Sequence, residues 1–175
     1  MALIVTPGAP DADAMIDRAY FQAWATARGY DISGYNVDTA VDPAIRRGSG
    51  FMNVEFDWKG TKVNGRAQPM SWPRDMVYDE TGEYVPNDEI PTEVEQATAY
   101  ASYQELISPN SLQPTVVGGP QVKRTKVGPL EKEYFSRTAD PASYKPTILA
   151  IGPLVDGLTE GGGAANSLAG ISLRG

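Results

Sequence analysis

The chain has 175 residues, 41% of them hydrophobic, a formal net charge of −7, and neither Cys nor His. That composition excludes disulfides and thiolate metal sites, and it removes the Ser-His and Cys-His dyads and the commonest zinc ligand. No run approaches the roughly 18 apolar residues that would span a bilayer, so neither an enzyme nor a membrane protein is expected.

Residues 1–10 read as an extended lead-in without the basic and long apolar regions of a signal peptide, which fits a product made and kept in a cytosol. Asp11 offers an N-cap for a first helix, with Asp13 in its first turn. Ala12, Ile16, Ala19, Tyr20, Ala23, Trp24 and Ala27 form its apolar stripe, and Gly29 stops it. A second helix starts near Asp42-Pro43, proline being favoured at the first helical position. Ile45, Gly48, Phe51 and Met52 share one face and Arg46-Arg47 another. Gly48 and Gly50 each cost about 1 kcal/mol against alanine, which points to a tight crossing with another helix. Val54, Phe56 and Trp58 alternate with acids, as in a short strand or a frayed helix end. Gly60 turns the chain, and 61–67 is a polar loop.

Residues 68–90 contain three prolines and no periodicity, with Thr81-Gly82 as a turn tip. A third helix starts at Pro91 and ends before Pro109. Val94, Ala97, Thr98, Ala101 and Glu105 track one side of it, and Tyr100, Tyr103 and Ile107 another. Residues 111–120 are a Pro/Gly linker. Gln121–Val127 and Leu130–Phe135 flank Gly128-Pro129 and read as a β-hairpin or two arms, with Lys123, Arg124 and Lys126 before the turn and Glu131 and Glu133 after it. Residues 146–158 suit a short helix kinked at Gly152-Pro153. Gly161–Gly163 is a joint, and 164–175 is a small, apolar tail. The expected fold is mainly α: a small helical bundle core over 1–110, a linker and β-hairpin arm over 111–145, and a short helix with a long C-terminal tail over 146–175.

Charge is unevenly divided. Residues 1–110 carry 17 acidic and 8 basic residues, and 111–175 carry 5 acidic and 7 basic. An acidic body repels phosphate, so broad nucleic-acid affinity is not expected.

The segment Gln68-Pro-Met-Ser-Trp-Pro-Arg74 holds no acid–base or nucleophilic group and has the character of an interface loop. Trp72 either plugs the core or anchors a contact, with Pro73 holding the loop extended. Arg74, beside eight carboxylates between Asp75 and Glu95, is expected to be ion-paired inside the subunit or across an interface. Those acids lack the Asp-x-Asp-x-Asp-Gly spacing of a calcium loop, so a solvated face or channel lining is expected, with Asp75, Asp79, Glu80 and Glu83 as candidates. Arg46-Arg47 and Lys123–Lys126 are expected to serve in ion pairs rather than on DNA phosphates. The triple glycine lacks the context of a phosphate-binding loop.

Several of these segments, in order and spacing, carry a resemblance from about Asp13 to about Tyr134. They are Ala-Asp-Ala-Met with Ala-Tyr-Phe in the first helix, and Arg-Arg-Gly-Ser-Gly-Phe-Met-Asn in the second. Trp58-Lys59-Gly60, Gln68–Arg74, Ile90-Pro-Thr-Glu-Val94 with Ala97, and Lys126-Val-Gly-Pro-Leu130 with Tyr134 complete the set. The chain resembles the phage head–tail adaptor, or head-completion, proteins, also labelled DnaT-like single-stranded-DNA-binding proteins. The 30–40 loop and the final tail depart from the pattern.

The resemblance implies a virion protein of the neck: a homo-oligomeric ring, typically of twelve copies, below the portal protein. Such a ring extends the channel for genomic double-stranded DNA without binding it tightly, and docks a tail or stopper protein. It implies no cofactor and no metal. Trp58, Trp72, Pro73, Arg74, Lys123, Arg124, Lys126, Glu131 and Glu133 are then the subunit or partner contacts. The tail, through Ser167, Leu168, Ile171, Leu173 and Arg174, is the portal contact. The rival expectation is a DnaT-like replication protein, which would stack bases on aromatics in a basic groove.

Overall fold

The computed structural model describes residues 2–114, 124–127, 130–133 and 148–160. The described residues are mainly helical. In chain order they form α1 (Arg18–Ala27), a π turn (Val37–Val41), α2 (Asp42–Glu55), β1 (Thr61–Lys62), a 3-10 turn (Gly65–Ala67), β2 (Arg74–Asp75), α3 (Thr92–Ile107), β3 (Arg124–Val127), β4 (Leu130–Glu133), α4 (Ile151–Val155) and a 3-10 turn (Asp156–Leu158).

The first helix begins later than the sequence implied. Asp17, not Asp11, is its N-cap, and its carboxylate accepts from the Tyr20 N–H at 2.6 Å. Residues 11–17 are not helical. Asp13 instead accepts from the Ile4 N–H at 2.8 Å and from Arg46 Nε at 2.6 Å, pinning the N-terminal segment to α2. The buried stripe is correspondingly shifted. Phe21, Trp24 and Ala25 face the core while Ala19, Ala23 and Ala27 face solvent, because large aromatics gain more from burial than alanines do. The C-terminus is as expected: Gly29 at φ +73° lets its N–H reach Thr26 O, and the Tyr30 N–H reaches Ala25 O. These two bonds close a Schellman motif.

The principal packing is α2 on α3. At that crossing Gly48 has no room for a side chain: a Cβ there would lie 2.6 Å from the Ser102 backbone nitrogen and 2.8 Å from its Cα. Gly50 has nothing within 4 Å of such a Cβ, so only the first of the two glycines serves the crossing. Residues of α2 and α3 enter two apolar clusters. One gathers Phe51, Met52, Trp58, Trp72, Val77, Val94, Ala97 and Ala101; the other gathers Phe21, Trp24, Ala44, Ile45, Ala99 and Leu106. Thr98 and Ser102, buried on α3, return their hydroxyls to the carbonyls of Val94 and Thr98, so neither is left unpaired.

The core reaches beyond residue 110. Leu112 is fully buried, and Ile151, Val155 and Leu158 fill the first cluster. Pro153 lies in the first turn of α4, where a missing N–H costs nothing, so the expected interruption there is absent. Trp58 bridges Thr159 in antiparallel fashion, and the Lys59 N–H donates to Leu158 O at 3.0 Å. The stretch after α2 is therefore a tether to 148–160 rather than a frayed helix end. The polar loop expected over 61–67 contains β1, which pairs with β2 through Thr61↔Asp75 and Lys62↔Arg74. β3 and β4 pair antiparallel, the hairpin alternative of the two expected, with Arg124 opposite Glu133 and Lys126 opposite Glu131.

Candidate functional site

The Gln68–Arg74 loop turns inward. Gln68 is buried; its Nε2 donates to Met70 O at 3.0 Å and to Pro73 O at 2.9 Å. Ser71 Oγ lies 2.6 Å from the Asn53 side-chain oxygen. Trp72 is fully buried, edge-on to Trp58 at 5.6 Å between ring centroids, and Pro73 is buried beside it. As contacts with another molecule, Trp58, Trp72 and Pro73 are therefore corrected: their rings fill the subunit's own core. The apolar mass of two indoles outweighs any gain from presenting them to solvent.

Arg74 is put to a different use inside the subunit. Among the described residues it forms no ion pair with the carboxylates that follow it. It donates instead to four carbonyls: Lys59 O at 2.6 Å, Gly60 O at 2.6 Å, Trp58 O at 3.1 Å and Ser71 O at 3.3 Å. The planar fork of five donors suits this task. Its burial lowers the guanidinium pKa. Arg74 thus clamps the Trp58–Gly60 turn, where Gly60 at φ +67° passes so close to the Asp75 carbonyl that a Cβ would collide with it.

Six other cations of the helical body are similarly occupied, while Arg66 is exposed and without an internal partner among the described residues. Arg18 grips Asp42 through Nε at 3.0 Å and Nη2 at 2.7 Å, and also reaches Asp38. Arg28 lies over Trp24 at 4.8 Å and Tyr100 at 5.5 Å. Arg46 meets Asp13 and Arg47 meets Glu105, as ion pairing rather than DNA contact. Lys59 Nζ donates to Gly157 O at 2.7 Å and Lys62 Nζ to Gln68 O at 3.1 Å. The large stacking rings are equally committed: Phe21, Trp24, Trp58 and Trp72 are all buried.

The channel-lining candidates sit on a hairpin closed by the Tyr78↔Tyr84 bridge. Asp75 accepts from Tyr84 Oη at 3.0 Å and from the Met76 N–H at 2.8 Å, and these bonds hold its carboxyl below the usual range, the backbone bond most. Asp79 collects the Thr81 hydroxyl and the N–H groups of Thr81 and Glu83, and is likewise lowered, chiefly by the hydroxyl. Glu80 and Glu83 are exposed. Asp75 and Asp79 thus shape the hairpin, and Glu80 and Glu83 are left to face solvent.

A cleft of about 370 Å³ opens where the N-terminal segment meets the start of α3. Its apolar lining includes Val5, Pro7, Met15, Ile16 and Ile90; Asp17, Glu89 and Glu95 also line it. Burial, and after it the charges of Asp17 and Glu89, push the Glu95 carboxyl up. Nothing in the sequence signals this cleft, because it joins the segment around residues 5–20 to residues 89–95. The buried acids Asp42 and Glu105 differ. Glu105 fell on the predicted inner side of α3, where an acid between apolar neighbours announces a partner.

Lys123 and the tail residues Ser167, Leu168, Ile171, Leu173 and Arg174 lie outside the described residues. No group of acids able to hold a metal ion occurs among the described residues, and no helix there is long and apolar enough to cross a membrane.

Comparison with known proteins gives one match. A family model described as "Putative DnaT-like ssDNA binding protein" matches residues 1–174. No curated protein and no solved structure matches.

Proposed function

The chain belongs to the DnaT-like ssDNA-binding protein family; we propose that within it this chain works as a structural head-to-tail adaptor of a phage virion. In this role copies of the chain form a ring, of about twelve by the resemblance drawn from its motifs, beneath the portal protein. The ring carries the DNA channel onward and presents a docking surface to the tail or a stopper protein. The protein has no catalytic task and no cofactor in this reading.

One observation carries it. Of the eight cations in residues 1–110, seven are already used inside the subunit, and only Arg66 is exposed without an internal partner among the described residues. Arg18, Arg28, Arg46, Arg47, Lys59, Lys62 and Arg74 each serve an internal acid, ring or carbonyl. The large rings are in the core, and residues 1–110 carry a net −9. Single-strand binding requires bases stacked on accessible aromatics beside free cations. An acidic wall is what a conduit needs if DNA is to slide without sticking.

A second reading, a single-strand-binding replication protein, is favoured by the family's description and by three exposed rings, Tyr35, Tyr78 and Tyr84. Two measurements separate them. Mass spectrometry of purified particles should find the chain at a fixed stoichiometry to the portal protein. Filter binding of single-stranded oligonucleotides at low salt should give only weak retention. Absence from particles, together with tight binding that falls steeply with salt, would establish the replication role instead.

A further inference from the structure

The hairpin that follows Arg74 presents apolar surface where burial was available. Val77 is fully buried, and Gly157 packs against Glu80, so the hairpin is seated firmly on the body. Yet Met76 is 71% exposed, Tyr78 55% and Tyr84 43%. Met76 also sits at φ +59°, a left-handed conformation that a side chain with a Cβ adopts at a cost of roughly 1–2 kcal/mol. The two tyrosine rings meet edge to face at 5.7 Å. Glu80 and Glu83 flank them at the tip, without a cationic partner among the described residues.

We propose that this surface — Met76, Tyr78 and Tyr84 with Glu80 and Glu83 — receives the basic strand Arg124–Val127 of a second copy of the chain. The inference rests on the ring reading and names a contact within it. Charge complementarity selects the occupant. From residue 75 to residue 122 the sequence holds no Lys or Arg, and its cations resume at Lys123-Arg124-Thr125-Lys126. A tyrosine face bordered by carboxylates suits a cationic side chain, whose aliphatic stem covers the ring while its head meets the acid. It repels a phosphate backbone, which sets this surface apart from a base-stacking platform. Among the described residues β3 pairs only with β4, and a two-stranded pair has a second edge that a neighbouring chain can address. Glu131 and Glu133 stand opposite Lys126 and Arg124 in the β3–β4 register, so the neighbour's acids compete with them for the same cations.

The test uses the full chain and complementary charge reversals, with assembly followed by light scattering and native mass spectrometry and folding checked by circular dichroism. Glu80→Lys/Glu83→Lys and Arg124→Glu/Lys126→Glu should each stay folded and raise the concentration needed for assembly by roughly tenfold or more. An equimolar mixture of the two should assemble again, with both variants in one oligomer. If the unaltered chain assembles and either variant does so at the same concentration, this contact is overturned while the ring reading stands. If both variants fail and their mixture fails too, the occupant is another segment or the same subunit's own strand, which also overturns it. An unaltered chain that remains monomeric at every concentration, including on purified portal, removes the ring reading itself. Oligonucleotide binding that is lost in Tyr84→Ala would assign the surface to nucleic acid and overturn the proposal.

Discussion

Glu105 of α3 and Arg47 of α2 join the two central helices through a partly buried contact, Arg47 Nε donating to the carboxylate at 2.7 Å. The same carboxylate accepts the N–H groups of Asn110 at 2.7 Å and Leu112 at 2.9 Å, so it also anchors the turn after α3. With only 2% of its side chain exposed, Glu105 depends on all three donors. Glu105→Ala leaves a half-buried guanidinium and two N–H groups without their acceptor, a loss of about 3–5 kcal/mol. Thermal unfolding should shift down by on the order of 10 °C. A shift of only a degree or two would mean that Arg47 and the turn find water without difficulty.

Gly48 and Gly50 form a matched pair on α2. Gly48→Ala drives a methyl into the backbone of α3 at Ser102 and should destabilise by about 1–3 kcal/mol, more than alanine's helix preference returns. Gly50→Ala meets nothing within 4 Å and should stabilise by roughly 0.5–1 kcal/mol. Urea melts of the two variants, read at constant slope, decide the matter. Equal effects of the same sign would show that α2 and α3 cross elsewhere.

How much of this was open to a reader of the sequence follows from the range of each interaction. α2 and α3 were legible because proline at a helix start and apolar residues three and four apart act locally. The antiparallel pairing of β3 with β4 was legible only as one of two readings, a hairpin or separate arms, because alternating charges of opposite sign lie on the two segments but do not by themselves fix a register. The start of α1 was misjudged because both Asp11 and Asp17 are competent N-caps. What decides between them is distant: Asp13 is drawn away by Arg46 and the Ile4 N–H. The site suffered more. Trp72 and Arg74 looked like interface residues because their partners, Trp58 and the carbonyls of 58–60, lie about 15 residues back across a loop without periodicity. A guanidinium beside many carboxylates reads as an ion pair, whereas here unpaired carbonyls at a tight glycine turn claim it first.

Trp72 separates core from interface directly. Trp72→Ala empties the space beside Trp58, Val77 and Val94 and should cost about 3–5 kcal/mol. Its indole N–H has no hydrogen-bond partner among the described residues, so Trp72→Phe forfeits no such bond there and should cost much less. Circular dichroism melts should therefore rank the two variants well apart. A Trp72→Ala chain that melts like the unaltered protein and fails only in assembly would return the residue to the surface.

The acids of the cleft and of the hairpin should respond to pH with opposite signs. Glu95 faces Asp17 and Glu89 beside Tyr20, with Arg28 acting on Tyr20, and its carboxyl is raised in the folded chain. A raised carboxyl means that the folded state holds its proton more tightly. Its favourable contribution is present below the unfolded value, near pH ~4.3, and is lost as pH climbs through the folded value. Glu95→Gln should therefore raise the melting temperature at pH 7 by about 1–2 °C, a small gain because solvent screens a partly exposed group. The gain should vanish below pH ~4, where the unaltered residue is itself neutral. Asp79 runs the other way. Its hydrogen bonds to Thr81 and Glu83 lower the carboxyl, so its stabilisation exists above the unfolded value and fades as pH falls through the folded one. Asp79→Ala should speed amide exchange at Thr81 and Glu83 at pH 7 and change little at strongly acidic pH. Melting curves for Glu95→Gln that lie below those of the unaltered chain at neutral pH would mean that a cation, not Asp17 and Glu89, governs that cleft.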